Sequence, residues 1–147
     1  MLIVLCILII LVDQAAKLYV STALTLGTSI PVIKEIFHIT YIHNPGAAFG
    51  VLANQQMLFI IFTFALLAVT AFFYKRLLRE SFAIRYGATL LLGGALGNLI
   101  DRIRFSYVID FFDFRIWPVF NIADIAICVG VGLLMYSVLF EMEETED

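Results

Sequence analysis

The amino-acid sequence predicts an all-α membrane protein, a four-transmembrane-helix bundle with a short β segment outside the bilayer. Three observations carry this. The 147 residues are 63% hydrophobic and 14% charged, with a mean hydropathy of +1.02, whereas soluble domains run about 45–50% apolar and about 25% charged. The apolar residues gather into four runs, each near the length that crosses about 30 Å of hydrocarbon. Between the first two runs the composition shifts to β-branched and aromatic residues punctuated by turn formers.

The first span covers about 2–20. No Lys or Arg precedes its apolar run, and Asp13, Gln14 and Lys17 follow directly. A retained transmembrane helix is therefore expected rather than a cleaved signal peptide, despite the small residues Ser21-Thr22-Ala23. Ile30 to Tyr41, bounded by Gly27 and Asn44-Pro45-Gly46, reads as short strands. The second span is placed at about 57–74 and the third at about 85–100. In the third, Gly93, Gly94, Ala95 and Gly97 predict close contact with another helix. The fourth covers about 122–140, with Asn121 as N-cap and Asp124 in the first turn, and it stops at an acidic tail. One domain is expected over 1–147, with outward connections at about 21–56 and 101–121. The short second connection clusters Lys75, Arg76, Arg79 and Arg85, which makes it cytoplasmic and puts both termini on that side.

Several function classes drop out. The net charge of −3 reflects five acids in the last seven residues, and no basic stripe points to nucleic acid. Cys6 and Cys128 sit in apolar runs without metal or redox spacing, so both are expected as buried apolar thiols; neither a metal nor a disulfide is expected. No Gly-x-Ser-x-Gly, His-Glu-x-x-His, Ser–Lys or Cys–His arrangement is present.

Two carboxylates remain unexplained. Asp110 lies in Val108-Ile109-Asp110-Phe111 and Asp124 in Phe120-Asn121-Ile122-Ala123-Asp124, both where apolar segments leave the membrane. A carboxylate at bilayer depth costs roughly 2.5–3.5 kcal/mol on insertion scales, which marks it as functional by default. At 1.5 Å per residue, Asp13 and Lys17 lie about 18 and 24 Å along the first helix, and Asn98 and Asp101 about 20 and 24 Å from Arg85 on the third. Polar residues of three helices thus reach one outer level. Each has a bland reading as well. Asp13 and Lys17 make a self-neutralising i, i+4 pair, Asp101 is buffered by its neighbour Arg102, His43-Asn44-Pro45-Gly46 is a turn, and Asn121 with Asp124 caps a helix. Asp113 is expected to face solvent and His43 to be an interfacial residue. None of these accounts for Asp110 beside Asp124. Two carboxyls about 3 Å apart cannot both ionise, so they share a proton, which suits them to acid–base hydrolysis of a membrane-borne peptide.

Taken together, these motifs resemble lipoprotein signal peptidase (signal peptidase II), an intramembrane aspartyl peptidase family. Five blocks stand in the family's order: Asp13-Gln14-x-x-Lys17, Asn44-x-Gly46-Ala47-Ala48-Phe49, Gly94-Ala95-x-Gly97-Asn98-x-x-Asp101-Arg102, Val108-x-Asp110-Phe111 and Phe120-Asn121-x-Ala123-Asp124. The resemblance implies Asp110 and Asp124 as catalytic dyad, with Asp13, Lys17, Asn44, Gly46, Asn98, Asp101, Arg102 and Asn121 supporting it or holding substrate. It implies a small extracytoplasmic β-sheet cradle and a location in the bacterial cytoplasmic membrane. The implied substrate is a diacylglyceryl-modified prolipoprotein cut before its lipobox cysteine. No cofactor is implied, globomycin-type cyclic peptides are the implied inhibitors, and a monomer in contact with membrane lipid is expected. The alternatives are a small proton-coupled transporter, whose acids would spread through the membrane depth, and a non-catalytic assembly subunit, which leaves the two acids without a reason to meet.

Overall fold

The computed structural model describes residues 1–46 and 55–141; Ala47-Ala48-Phe49 of the second motif and the tail acids beyond Glu141 lie outside them. Helix α1 (Leu2–Ala23) leads into an antiparallel hairpin, β1 (Ser29–Ile33) and β2 (Phe37–Asn44). Helix α2 (Gln56–Phe72), the single turn α3 (Tyr74–Leu77), helix α4 (Phe82–Phe105), strand β3 (Val108–Asp113) and helix α5 (Ile122–Tyr136) follow, and α5 ends in a π-helical turn at Ser137–Glu141.

Among the described residues three helices are long and apolar enough to cross a membrane: Leu2–Ala23, Phe82–Phe105 and Ile122–Glu141. The predicted run at 57–74 is apolar but shorter: α2 has 17 residues, about 26 Å of helix. It stops at Phe73, whose backbone (φ −92°, ψ 8°) breaks the helix before α3 begins. Helix α4 extends past the predicted 100 to Phe105. Ser81 caps its start by accepting the Ile84 N–H, and Ser106 in the left-handed region (φ 63°) turns the chain off its end.

Helix α4 is the central post, packed against α5, α1 and α2. Its glycines make this possible. A Cβ on Gly94 would stand 2.3 Å from the Ala123 carbonyl oxygen, and one on Gly97 2.8 Å from Asp13 Oδ2. The helix axes can thus approach until α1, α4 and α5 share polar side chains. The largest fully buried side chains are Lys17, Asn121, Asp13, Asp101, Asp110 and Ser137, while Ile3, Val4, Leu8, Leu11, Val129 and Leu139 are exposed. That inverts the arrangement water would enforce, and it is stable where the surrounding solvent is hydrocarbon.

The sheet has the order β1-β2-β3. The predicted strands at Ile30 to Tyr41 form its hairpin, with Glu35 in the left-handed region (φ 63°) at the reversal. Strand β3 lies inside the stretch 101–121 that the sequence presents as connection. Val20, Tyr41, Ile109 and Phe111 form an apolar cluster that seats the sheet on the end of α1. Ile42 pairs with Asp110 in register, and side chains alternate along a strand. Asn44, two residues beyond Ile42, therefore shares a face with Asp110.

Candidate active site

Asp110 projects from β3 with 1% of its surface exposed, and Asp124 stands in the first turn of α5. Asn121 binds both. Its Nδ2 donates to Asp110 Oδ1 (2.6 Å), its Oδ1 accepts the Asp124 N–H (2.9 Å), and its own N–H donates to Asp124 Oδ2 (3.1 Å). This is the reciprocal capping box expected of Asn followed by an acid three residues later. The cap's spare amide group is what reaches across to the other carboxylate, so the bland and the functional readings of Asn121 hold together.

Each acid has a second amide donor. Asn44 Nδ2 donates to Asp110 Oδ2 (2.8 Å) and Asn98 Nδ2 to Asp124 Oδ1 (2.8 Å). Neither amide is free to flip. Asn44 Oδ1 accepts the Gly46 N–H (2.9 Å), and Asn98 Oδ1 accepts from Lys17 Nζ (2.9 Å), so the donor ends must face the carboxylates.

Behind the dyad lies a buried ionic triad. Lys17 Nζ reaches Asp13 Oδ2 (2.8 Å), Asp101 Oδ2 (2.9 Å) and Asn98, using all three ammonium protons. The two acids each hold a backbone amide next to the dyad. Asp13 Oδ1 accepts the N–H of Ala123 (2.9 Å), which precedes Asp124. Asp101 Oδ2 accepts the N–H of Ile109 (3.1 Å), which precedes Asp110. Gln14, quoted in its motif but not singled out as a site residue, joins the set through Asp101 Oδ1 (2.9 Å) and the Gly97 carbonyl (3.1 Å). One lysine thus fixes the separation of β3 and α5.

Asp101 therefore pairs with Lys17 rather than with Arg102, correcting the expected buffered pair. Adjacent residues on a helix point about 100° apart and cannot share a face. Arg102 instead lies over the Phe59 ring (4.4 Å to its centroid) and donates to the Gly46 carbonyl (3.4 Å). Asp113 is likewise not solvent-facing: it is 5% exposed and accepts from Thr40 Oγ1 (2.7 Å) and Arg115 Nη1 (3.0 Å), away from the dyad. Cys128 is exposed rather than buried, whereas Cys6 is half-buried. His43 stacks on Tyr107 (3.7 Å between centroids) with Nε2 against the Tyr41 hydroxyl. Among the described residues no three His, Cys, Asp or Glu side chains gather as a metal site.

Asp110, Asp124, Asn44, Asn98, Gly46 and Arg102 face one cavity of about 740 Å³, whose remaining walls include Phe59, Phe62, Leu66, Ile127 and Val129. Burial, reinforced by the charge of Asp124, pushes the Asp110 carboxyl from 3.8 up to about 7. The cavity can accept an apolar chain and present to it two carboxyls, of which Asp110 keeps its proton up to about pH 7.

A family model described as signal peptidase (SPase) II matches residues 5–140. The lipoprotein signal peptidase of Halothermothrix orenii is 46% identical over 139 residues, covering 95% of this chain and 94% of that one. The lipoprotein signal peptidase of Clostridioides difficile is 48% identical, with 91% of each covered. A solved structure described as a bacterial membrane enzyme superposes with a TM-score of 0.88 at 31% identity, covering 97% of this chain and 90% of its own.

Proposed function

The chain belongs to the signal peptidase II family, and on that premise we propose how it works: as an intramembrane aspartyl endopeptidase with Asp110 and Asp124 as its catalytic dyad. It is a peptidase that removes signal peptides from prolipoproteins. The proposed substrate carries diacylglycerol on its lipobox cysteine, and the cut falls just before that residue. One observation carries the proposal: two acids from different elements face a single apolar-walled cavity and are joined through Asn121.

Asp110, whose carboxyl keeps its proton up to about pH 7, donates that proton to the scissile carbonyl oxygen. Asp124 takes a proton from a water whose oxygen attacks the carbonyl carbon, giving a gem-diol. Asp124 then passes that proton to the amide nitrogen as the C–N bond breaks, and Asp110 recovers its own from a gem-diol hydroxyl. The new carboxyl leaves with the signal peptide and the free amine stays on the lipidated cysteine. Asn44, Asn98 and Asn121 hold the carboxylates in register, Asp13, Lys17 and Asp101 hold their backbones, and Arg102 with Gly46 lines the path of the substrate chain.

The proposed setting is a single domain over 1–147 in the bacterial cytoplasmic membrane. Helix α2 serves as the fourth span and one wall of the cavity, the sheet forms an extracytoplasmic cradle, both termini are cytoplasmic and the dyad lies near the outer face. Globomycin-type cyclic peptides should occupy the same cavity. A transporter would spread its acids along a path through the bilayer, whereas Asp13, Asp101 and Asp124 of the helices meet in one cluster.

The test is cleavage of diacylglyceryl-modified prolipoprotein by purified enzyme, with and without globomycin. Asp110→Asn and Asp124→Asn should each lose about a thousandfold in rate or more while keeping the wild-type elution profile in detergent. Robust cleavage by either variant rejects the dyad.

A further inference from the structure

We infer that the end of the bundle opposite the dyad carries a binding site for an anionic phospholipid, its phosphate on Arg85 and one acyl chain in the groove between α1, α3 and α4. The groove is a second cavity of about 290 Å³, separate from the dyad, with Cys6 and Ile10 of α1, Tyr74 and Leu77 of α3, and Thr89 and Leu92 of α4 among its walls. Its volume falls just short of the range for small-molecule sites, about 300–1,000 Å³, which leaves room for part of one hydrocarbon chain, and its walls are almost wholly apolar.

Arg85 identifies the headgroup. Positions 85, 89, 92 and 96 recur at the three- and four-residue spacing of one helical face, and the last three line the groove. Arg85 therefore stands on the groove's own face, one turn nearer the membrane surface. Its Nε is buried and has no hydrogen-bond partner among the described residues. A buried guanidinium donor demands an acceptor, and a phosphate diester supplies one in the planar geometry that Arg favours. The charge around it agrees: Lys75 follows Tyr74 on α3 and Arg79 precedes α4, while Arg76 is paired with Glu80 (3.3 Å). Basic pockets between helices at a membrane surface are where anionic headgroups bind. The rival occupant is the acidic tail beyond Glu141, since Glu141 itself meets Ser81 at the start of α4 as well as Ser137 of its own turn.

The experiment is lipid retention by the purified full-length protein, read by native mass spectrometry with phosphatidylglycerol against phosphatidylcholine of the same chains. Wild type should retain phosphatidylglycerol about fivefold better, the ratio equivalent to one basic contact at a membrane surface. Arg85→Gln should abolish the preference, while Arg85→Lys should keep part of it and Arg79→Gln most of it. Leu92→Trp, which fills the groove, should lower retention of both lipids. Equal retention by wild type, or a preference unchanged in Arg85→Gln, overturns the site. So does a preference that emerges only after Glu143, Glu144, Glu146 and Asp147 are neutralised, because the tail then occupies Arg85. The readout is independent of cleavage, so its failure leaves the proposed peptidase mechanism untouched.

Discussion

Lys17 braces the site from behind, although it hydrogen-bonds neither dyad acid. Its ammonium stands between Asp13 and Asp101, and each of those acids holds the amide before a dyad residue. Lys17→Met removes the cation and leaves two buried carboxylates facing each other. Breaking a buried pair in this way costs about 3–5 kcal/mol, so the variant should melt well below wild type in detergent. A small shift would mean that water or a proton takes the cation's place. Asp110 yields a second prediction, with a definite sign. Its carboxyl moves from 3.8 to about 7 on folding, so the folded protein holds this proton more tightly than the unfolded chain does. The resulting stabilisation is complete below about pH 4 and drains away as the pH rises to about 7. Wild type should therefore lose thermal stability across that window relative to Asp110→Asn, which cannot ionise there; parallel curves would remove the proton from Asp110. Cleavage should also fall about tenfold per pH unit above about pH 7, as Asp110 loses the proton it donates.

At the scale of elements, the contact between α4 and α5 sets the distance between the pieces of the site. Gly94 has no room for a methyl group, because a Cβ there would lie 2.3 Å from a backbone oxygen and 2.8 Å from Ile127 Cγ1. Gly94→Ala must push α5 away, and overpacking of this kind costs typically about 1–3 kcal/mol. It also moves Asp124 off Asn98, so cleavage should suffer beyond the loss of folded protein. Gly132, in the same helix as Asp124, has nothing within 4 Å of an added Cβ. There Gly→Ala should be neutral or raise stability by up to about 1 kcal/mol through helix propensity. Equal effects at the two glycines would deny the close packing its role. The sequence shows the glycine-rich face of α4 and the long apolar helices plainly, because composition and spacing alone specify them. It does not show β3, whose six residues are separated from α4 by two residues and read as connection. Nor does it show that α2 stops at Phe73, since the run stays apolar through the break. The acids themselves were legible through their depth, but their partners were not. Which cation serves Asp101 depends on a 100° step around α4, and the burial of Asp113 depends on the register that sets it opposite His38 and beside Thr40.

For the whole molecule the decisive contrast is between its two ends. Helix α4 runs about 36 Å from Phe82 to Phe105, enough to separate the basic turn around Arg79 from the sheet that carries Asp110. Lys and Arg concentrate near cytoplasmic span ends, and on that basis the orientation proposed above puts the Arg79 end inside and the hairpin tip at Glu35 outside. The proposed reaction fits that orientation, since a signal segment that has entered the bilayer would bring its scissile bond to the outer face. Thiol labelling separates the two orientations. In a Cys6→Ser, Cys128→Ser background, Glu35→Cys should react with a membrane-impermeant maleimide on intact cells from which any outer membrane has been removed. Arg79→Cys should react only after the cells are opened. The opposite pattern would turn the bundle over and bring the dyad to the cytoplasmic side, where the water it consumes, the substrate it receives and the lipid proposed for Arg85 would all have to come from the other leaflet.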